Sequence, residues 1–533
     1  MRVLNLNLTI DEASGNGFRV GDHGGVIMTV VMRSVTPFRA WRYNEKLAGD
    51  LVELIAPPYD VIRPDLQSRL YARSPYNVVR VDLGMTTPSD NDSDNQYTRS
   101  AAQLSEWKRR GILLRDDLPS VTFVEETFEG PDGRIHTRHG FLALVRLHDF
   151  EEGVVFPHEF TLSEPKEDRF RLMKSTGMSL SPVFLLYDLP GDEITAAFGA
   201  ALDAGLPAFT VRDDAGTATK LWPTSDESIL GSLEQNLAAA RFIIADGHHR
   251  YETALRYRDY RRELDRLDTI GCDESPAREK GPASSETSGR PGSPGREESP
   301  GRDDPMGCKP DSRAQAYEYA LAYFSNMADS GLAIYGTHRL LSGLSADAVA
   351  ALPESLAGTF RVERLAGNAD VGLAEADWAH GDSATAEASR LVAVYLRGHS
   401  SGGAFGLAGP GLDAIYGIAL ADQEAAQAAV PDHSPAYREL DVTILQSLVL
   451  GRVLGITEAD MRAEKHVTFV KDWNEAFRRL YSREFQVGFF MNPTRLDQIR
   501  EVALGGERMP QKATFFYPKL PTGLVFHDLS GSV

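Results

Sequence analysis

One stretch of the chain has a composition that sharply restricts how it can fold. Residues 271–313, GCDESPAREKGPASSETSGRPGSPGREESPGRDDPMGCKPDSR, contain no aromatic residue and no Val, Leu or Ile. Such a segment cannot bury enough apolar surface to offset the entropy lost on ordering, so we predict a disordered insertion. We expect Cys272 and Cys308 to be incidental thiols, with a redox clasp across the loop as the alternative. Functional residues are therefore expected to flank the insertion.

The rest of the chain has the composition of an ordinary globular protein. At roughly 150 residues per domain, 533 residues predict about three domains. The net charge of −20 opposes loose binding along a nucleic-acid backbone, because cationic contacts carry such binding. No run approaches the roughly 18 apolar residues of a membrane span, and two cysteines cannot form a disulfide framework. We therefore expect a cytoplasmic protein with a small-molecule substrate and no nucleic-acid or membrane partner, and a homo-oligomer is possible.

The patterns of apolar residues predict an α+β fold of mixed sheets with a helix-rich C-terminal part. Strands are expected at residues 77–83, 120–126, 140–147, 183–187, 331–335 and 485–491. Helices are expected at residues 97–110, 316–327, 441–454 and 495–504. The acidic loop 88–95, PSDNDSDN, lacks the glycine and distal Glu of an EF-hand loop, which favours a solvated loop over a calcium site.

The sharpest local pattern is RFIIADGHHRYETALRYRDYRR, residues 241–262. A buried strand, a glycine turn and a helix start would place free backbone N–H groups and the positive end of the helix dipole at one point. Gly247 would let a phosphate approach the backbone, with His248 and His249 beside it, and Arg250 offers a bidentate fork. The alternative is a capped helix whose histidines are structural.

Three other segments offer groups for catalysis or binding. Asp60 follows the rigid Pro57-Pro58 turn, which would hold the carboxylate in a defined place. The alternative interpretation is that this turn only reverses the chain direction. In residues 157–169, His158 and Glu159 suit acid/base work or magnesium, and Lys166 and Arg169 suit phosphate, although a solvated charged face explains most such runs. Residues 511–519 interleave Lys512 and Lys519 with aromatic residues, a pattern also typical of an edge strand with exposed lysines.

Together these groups could form a phosphoryl-transfer site, which needs phosphate-binding groups, a divalent ion and a carboxylate base. Asp246 or Glu159 could hold magnesium, and Asp60 or Glu159 could serve as base. The candidate catalytic set is Asp60, His158, Glu159, Asp246 and His249. No Gly-x-x-x-x-Gly-Lys-Ser/Thr loop and no protein-kinase signature occurs in the chain, so any nucleotide would be held by the Asp-Gly-His-His-Arg turn.

The turn resembles known nucleotide-binding motifs. Gly247-His248-His249-Arg250 resembles the Gly-x-His-Arg turn of the ParB/sulfiredoxin superfamily, and Ala-Asp-Gly-His-His-Arg is similar to the turn of the ParB-like free-serine kinases. The resemblance implies a ParB-like unit and ATP or ADP with Mg²⁺ as the ligand. The cysteine that sulfiredoxins use would fall at His248, so a sulfiredoxin activity is excluded.

A broader resemblance covers residues 37–525. It rests on PFRAWRYN (37–44), IAPPYDVI (55–62), RSPYNVVRVDLG (73–84), PHEFTLSEPKEDR (157–169), IADGHHRYETAL (244–255), THRL (337–340) and GERMPQKATFFYPKLPTGLV (506–525). These segments resemble the bacterial and archaeal family called domain of unknown function 1015. That family brings no established reaction with it.

These patterns and resemblances predict four regions. Residues 1–33, with Asp11, Glu12 and Asp22 and without the basic start of a secretory signal, are expected to be a loose extension, and translation could start at Met32. A mixed α/β domain is expected at 34–187 and a ParB-like anion-binding unit with the insertion at 188–341. A helix-rich region with a closing strand is expected at 342–533.

Three functions compete at this point. The first is a small-molecule phosphotransferase acting on a hydroxylated metabolite such as an amino acid. The second is a non-catalytic nucleotide-binding sensor or scaffold. The third is a metal-dependent hydrolase built on histidines from distant segments, including His338, although no His-Glu-x-x-His spacing occurs.

Overall fold

The computed structural model of the protein describes residues 8–10, 18–20, 34–130, 133–161, 163–191, 193–203, 205–273, 314–373 and 382–533. Most of the predicted extension, residues 1–33, and all but the first three residues of the predicted insertion, 271–313, lie outside the described residues. Both of those predictions therefore stay predictions.

The described residues form short and long strands in alternation with helices. The strands are Leu8–Ile10 (β1), Phe18–Val20 (β2), Val35–Thr36 (β3), Trp41–Tyr43 (β4), Leu113–Arg115 (β5), Val121–Glu129 (β6), Ile135–Arg146 (β7), Val155–Phe156 (β8), Met178–Ser179 (β9), Val183–Tyr187 (β10), Phe209–Arg212 (β11), Ala218–Thr224 (β12), Phe242–Asp246 (β13), Tyr319–Asn326 (β14), Ala333–Ile334 (β15), His338–Leu341 (β16), Phe360–Gly367 (β17), Ala404–Ala408 (β18), Ala414–Leu420 (β19), Val467–Val470 (β20), Val487–Met491 (β21), Phe516–Tyr517 (β22) and His527–Asp528 (β23).

The helices are concentrated around these strands and in the C-terminal part. They are Glu45–Ala48 (α1), Leu51–Leu54 (α2), Pro64–Arg73 (α3), Val79–Asp82 (α4), Gln96–Arg109 (α5), Ser163–Thr176 (α6), Glu193–Asp203 (α7), Glu227–Leu237 (α8), His248–Asp273 (α9), Ala346–Ala350 (α10), Leu352–Leu356 (α11), Asp382–Gly398 (α12), Gln423–Ala429 (α13), Pro435–Arg438 (α14), Asp441–Ile444 (α15), Glu458–Arg462 (α16), Trp473–Tyr481 (α17) and Leu496–Leu504 (α18). A π-helical segment, Leu445–Val453, continues α15, and 3₁₀ turns occupy Tyr59–Val61, Phe150–Glu152 and Ala316–Glu318.

The larger sheet has the strand order β11-β12-β6-β7-β14-β10-β13-β8, with β3 paired to β7. The β10–β14 and β13–β8 pairs are parallel and the other pairs of this sheet are antiparallel. Strands β10 and β14 are buried along their whole length, which fits their apolar sequences VFLLY and YALAYFSN. Strand β13 lies beside β10, so the turn that follows it is placed at the edge of a rigid core.

The smaller sheet has the strand order β17-β19-β18-β21-β16-β20, in which every pair is antiparallel. Helices α12 and α17 pack against it and against each other. Helices α10 to α18 all follow residue 341, and the expected α+β fold with a helix-rich C-terminal part is confirmed.

The C-terminal segment, residues 509–528, returns to the N-terminal region of the chain. The Met509 amide donates to the His158 carbonyl at 2.7 Å, and the Thr522 amide donates to the Ala56 carbonyl at 2.8 Å. Further along, the Phe526 amide donates to the Trp41 carbonyl at 2.9 Å. The segment therefore contacts the N-terminal region from several sides and brings its own side chains to the edge of the larger sheet.

A fully buried ion pair ties the larger sheet to this segment. Arg138 on β7 donates through Nε and Nη2 to Glu126 on β6, at 3.0 and 2.5 Å, and neither side chain is exposed. Arg138 also donates to the carbonyls of Tyr517 and Pro518, at 3.3 and 2.8 Å. One guanidinium therefore holds both the sheet and the backbone next to Lys519.

Two elements differ from their predictions. Residues 316–327 were expected to be helical, but β14 is a strand at Tyr319–Asn326. A strand buried on both faces is apolar throughout, so apolar residues also fall at helical spacing by coincidence. Residues 77–83 were expected to be a strand, but Val79–Asp82 is a short helix. The buried Asn77 starts it, because its Oδ1 accepts from the Val79 amide at 3.0 Å.

Most other element predictions are confirmed. Strands β6, β7, β10 and β21 and helices α5, α15 and α18 lie at or near the expected positions. The acidic loop 88–95 leads into α5, where Asn95 forms a capping box with Thr98. Among the helices of the described residues, none has both the length and the apolar character that a membrane crossing requires.

We predict that Glu126→Ala lowers the free energy of unfolding by about 3–5 kcal/mol, because it leaves Arg138 buried without a counter-charge. Urea unfolding measures this loss. Glu125→Ala is the matched control, since Glu125 pairs with Lys220 at 2.7 Å in a partly exposed position, where the loss should stay below about 1 kcal/mol. Equal losses in the two variants would contradict the assigned role of the buried pair.

Candidate functional site

The turn between β13 and α9 has the geometry of an anion-binding site. Gly247 has φ = +92°, a backbone conformation that favours glycine, and a Cβ there would lie 2.9 Å from the Arg250 guanidinium and would displace it. The Tyr251 amide is the first to donate within the helix, to the Gly247 carbonyl at 3.0 Å. The preceding amides, of His248, His249 and Arg250, thus have no carbonyl of their own helix to bond. They lie at the positive end of the α9 dipole.

Asp246, the last residue of β13, is the centre of the charged network at this turn. Its carboxylate contacts the Arg250 guanidinium and accepts from Lys519 Nζ at 3.0 Å. Burial would raise the pKa of Asp246, but Lys519 and Arg250 outweigh burial and hold the pKa well below its usual range. Asp246 is therefore ionised at every physiological pH.

Lys519 connects Asp246 to Asp60. Its ammonium also forms an ion pair with the Asp60 carboxylate, 459 residues away in sequence. Burial would lower the pKa of Lys519, but the two carboxylates raise it above its ordinary value. Asp60 lies in the 3₁₀ turn after Pro57-Pro58, and its side chain is 38% exposed. The structure thus brings together Asp60, Asp246, Arg250 and Lys519.

His158 and His248 form a buried pair behind the turn. Their rings meet edge to face with centroids 4.6 Å apart, and the His158 amide donates to His248 Nε2 at 3.2 Å. His158 Nδ1 donates to the Ile244 carbonyl at 2.5 Å, while Nε2 accepts from the Thr514 hydroxyl at 2.8 Å. Burial lowers the pKa of His158 to about 4 and that of His248 well below its ordinary value. The pair is neutral and joins three segments of the chain.

Glu159 lies next to this pair with one carboxylate oxygen unsatisfied. Its Oε1 is buried and has no hydrogen-bond partner, and burial raises the pKa of the carboxyl group. Lys512 and Lys519 oppose that rise, and Asp246 adds to it. Glu159 is thus within electrostatic reach of the Asp246 network but is not ion-paired to it.

Lys166 and His249 lie on the outer side of the first turn of α9. Lys166 Nζ pairs with Glu252 at 2.7 Å, and the Thr161 hydroxyl donates to the same carboxylate at 2.7 Å. Burial lowers the pKa of His249, with Lys166 and Lys512 contributing and Glu252 opposing. The predicted phosphate ligand Lys166, on α6, is thus neutralised by a carboxylate on α9.

Arg169 and Lys512 have different positions from those expected of simple phosphate ligands. Arg169 is 7% exposed and pairs with Asp82 at 3.1 Å. Its guanidinium also stacks over the Tyr59 ring at 4.1 Å, so Arg169 supports the turn that carries Asp60. Lys512 is exposed, and its positive charge acts to lower the pKa of both Glu159 and His249.

A cavity of about 400 Å³ adjoins Lys519, and Arg250 is not among its lining residues. It includes residues that the sequence analysis missed. Its walls combine apolar residues of 52–66 with Phe515, Tyr517 and several prolines, including Pro57 and Pro58. The charged residues of the wall are two acids, Asp213 and Asp214, and four cations, Arg69, Arg73, Lys471 and Lys519. In the sequence, the Pro57-Pro58 turn and the alternation of aromatic residues and lysines at 511–519 pointed to parts of its wall.

The described residues contain no group of three or more His, Cys, Asp or Glu side chains that could hold a metal ion. His338, a candidate of the hydrolase hypothesis, is buried in the smaller sheet against Trp473 and Phe490, with ring centroids at 4.2 and 5.1 Å. The predicted magnesium ligands Asp246 and Glu159 would therefore have to bind the ion together with ligand oxygens, as Mg²⁺ commonly does.

Comparison with known proteins assigns the chain to a family. The family model described as "Protein of unknown function (DUF1015)" matches residues 35–284 and 296–443, which is more than half of the chain. The chain belongs to the DUF1015 family. The segments resembling this family in the sequence therefore identified it correctly. No curated protein matches this DUF1015 protein.

Solved structures similar to the DUF1015 protein include a conserved hypothetical protein from Pyrococcus furiosus, at 12% identity and a TM-score of 0.30, with 72% of this chain and 93% of that chain covered. A free serine kinase in complex with AMP has 12% identity and a TM-score of 0.32, with 73% and 91% covered. A mutant free serine kinase in complex with ADP has 12% identity and a TM-score of 0.31, with 73% and 92% covered.

The buried state of His158 predicts a pH dependence of stability. Its pKa of about 4 in the folded protein lies below the 6.5 of an ordinary histidine, so the unfolded state binds the proton more readily. The stability from this group is complete above about pH 6.5 and is lost as the pH falls towards 4. Between pH 7 and pH 5 the loss amounts to about 2 kcal/mol.

We expect His158→Gln to reduce that pH dependence by about this amount, because glutamine does not titrate and its amide has a donor and an acceptor for the same partners. Urea unfolding at pH 7 and pH 5, on the variant and the wild type in parallel, measures the difference. An unchanged pH dependence in the variant would mean that His158 is not held neutral by burial.

Proposed function

We propose that this protein binds a nucleotide, ATP or ADP with Mg²⁺, or another phosphorylated small molecule at the β13–α9 turn and transfers a phosphoryl group to a hydroxylated metabolite such as an amino acid. The observation that carries the proposal is the convergence of Lys519, Arg250 and Asp60 around Asp246 at the amino end of α9. The proposal includes a cytoplasmic location and a small-molecule substrate, which are consistent with the acidic net charge and with a chain of only two cysteines.

The binding step follows from the groups at the turn. Free backbone amides at a helix start suit phosphate oxygens, and Arg250 adds a planar fork that matches two of them. Lys519 is 14% exposed and lies between the turn and the cavity. A phosphate at the turn would therefore meet two cations that are already desolvated and aligned by Asp246.

The chemical step needs little beyond positioning. The acceptor hydroxyl oxygen attacks the terminal phosphorus, a new O–P bond forms, and the bridging P–O bond breaks so that the electron pair leaves with the nucleotide. Asp60 accepts the hydroxyl proton, since it is the most exposed carboxylate of the network. Glu159 is the second candidate base, but its burial favours the protonated form.

Magnesium fits the carboxylates present. Asp246 is ionised, Glu159 has an unsatisfied oxygen, and carboxylates are preferred magnesium ligands. The ion would neutralise negative charge on the phosphate oxygens. The choice of a nucleotide over other phosphates is supported by the likeness of residues 245–250 to the turn of the free-serine kinases, which have been solved with AMP and ADP.

A second function is favoured by one feature of the network. Both Arg250 and Lys519 are already paired with carboxylates, so a bound phosphate would compete with Asp60 and Asp246 for them. Binding that rearranges these ion pairs without turnover is what a nucleotide sensor requires. No observation of comparable weight favours the metal-dependent hydrolase.

We predict that ADP, ATP or pyrophosphate with magnesium stabilises the wild type and that Arg250→Ala abolishes the effect. A ligand at about 100 times its dissociation constant adds about 2.7 kcal/mol of stability, which thermal unfolding detects. Arg266→Ala is the matched control on the same helix, because Arg266 is exposed and pairs only with Glu263 among the described residues. Stabilisation that survives in Arg250→Ala would place the ligand elsewhere.

Asp60→Asn separates the two functions. For a phosphotransferase we expect the variant to retain nucleotide binding and to lose at least about 100-fold in phosphorylation rate, because the base is absent. The measurement is phosphate transfer from ATP or ADP to a panel of hydroxyl amino acids, with binding followed in parallel by calorimetry. Retained binding with no turnover even in the wild type would instead favour the sensor.

A further inference from the structure

The cavity beside Lys519 contains two cations without a carboxylate partner. Lys471 and Arg69 both line it, and neither forms an ion pair with any residue that the structure describes. Arg69 is exposed at the cavity edge, whereas Lys471 is only partly exposed. A partly buried ammonium without a counter-ion is costly. The arrangement is therefore suited to a ligand that supplies the missing negative charge.

Aromatic rings hold Lys471 in place. Its Nζ lies 4.5 Å from the centroid of Phe515, 4.8 Å from that of Tyr517 and 5.8 Å from that of Tyr335. These cation–π contacts orient the ammonium without neutralising it. Burial lowers the pKa of Lys471 and the nearby charge of Lys519 lowers it further, while the more distant charges of Asp472 and Glu475 oppose this shift without forming an ion pair.

The other charged groups of the cavity are already engaged. Asp213 accepts from the amides of Ala215 and Thr217 at 3.0 and 2.8 Å, and Asp214 pairs with Arg73 at 2.6 Å. Lys519 is paired with Asp60 and Asp246. An anion that enters the cavity would therefore be attracted mainly by Lys471 and Arg69.

The shape and lining of the cavity define the rest of the ligand. A volume of about 400 Å³ falls within the roughly 300–1,000 Å³ of small-molecule sites. The rings of Phe515 and Tyr517 and the flat faces of Pro57 and Pro58 suit a planar group, since aromatic side chains stack well on bases. Pyrophosphate alone would leave most of this surface uncovered.

Lys471 and Lys519 both approach the Phe515 ring, at 4.5 and 5.5 Å from its centroid, and Lys519 continues through Asp246 to Arg250. We propose that the cavity binds the base and sugar of a nucleoside phosphate, with the phosphate nearest the sugar at Lys471 and the terminal phosphate at the β13–α9 turn. This inference rests on the proposed function for the terminal phosphate only. It assigns the ring-binding subsite and gives Lys471 a role in specificity.

The test compares ADP with inorganic pyrophosphate, both with magnesium, by calorimetry on the full chain. We expect the wild type to bind ADP more tightly than pyrophosphate. Phe515→Leu should weaken ADP at least tenfold and change pyrophosphate less than threefold, because only ADP has a ring to stack. Lys471→Gln should weaken ADP at least tenfold, and Lys471→Arg should restore it to within threefold of the wild type.

Lys174→Gln is the control, since Lys174 is an exposed lysine whose Nζ lies 4.7 Å from the centroid of the Tyr260 ring, outside the cavity. Its ADP affinity should equal that of the wild type. The Lys471 pair decides the question if Phe515→Leu fails to fold, because both changes there keep a long polar side chain at the cavity edge.

Each remaining outcome has one meaning. ADP binding that is no tighter than pyrophosphate binding, or that is unchanged in Lys471→Gln, overturns the cavity proposal. If Arg250→Ala then loses both ligands, the proposed function still stands. If Lys471→Gln weakens ADP while Arg250→Ala binds it normally, the cavity proposal stands and the turn proposal fails. No binding of either ligand to the wild type overturns the cavity proposal.

Discussion

Lys519 is held between the carboxylates of Asp60 and Asp246, and this shared ammonium determines how three distant segments meet. A lysine buried to this extent without partners would lose its proton, because a low dielectric disfavours the charged form. With two carboxylates it remains charged and in one position. Asp246 in turn aligns Arg250, so the electrostatics of the turn depend on a residue far away in sequence.

The backbone around Lys519 is equally constrained. Its neighbour Pro518 accepts a hydrogen bond from the buried Arg138, and the Thr514 hydroxyl bonds His158 behind the turn. Two core groups with no exposure therefore fix the segment that leads into the lysine. This arrangement satisfies the usual requirement of a functional site, namely charged groups on a support that buried side chains hold in place.

Local features of this site could be predicted from the sequence, and long-range ones could not. The pattern of residues 242–250 predicted a strand, a glycine turn and a helix start, since each depends on neighbours within a few residues. The pairing of Lys519 with Asp60 spans 459 residues and leaves no periodic trace. Lys471 is a single lysine after a short strand, and nothing in its local sequence distinguishes it from a surface residue.

The two wrong predictions of secondary structure also result from contacts that the local sequence does not show. Strand β14 was taken for a helix because a strand buried on both faces is apolar at every spacing. The segment at Asn77 was taken for a strand because the bonds of its buried side chain to the carbonyls of Glu53 and Ile55 are tertiary contacts. Burial on both faces and side-chain bonds to distant backbone become visible only in three dimensions.

The length of α9 has a practical consequence. Its 26 residues, His248–Asp273, separate its two ends by about 39 Å at 1.5 Å per residue. Tyr317 packs beside the second half of this helix, where its hydroxyl donates to Asp265 at 2.6 Å. Asp273 and Tyr317, on the two sides of residues 274–313 in sequence, therefore both lie far along the helix from Gly247. A fluorescent domain or an affinity tag could be spliced there, giving a labelled protein whose ligand-binding groups are left untouched.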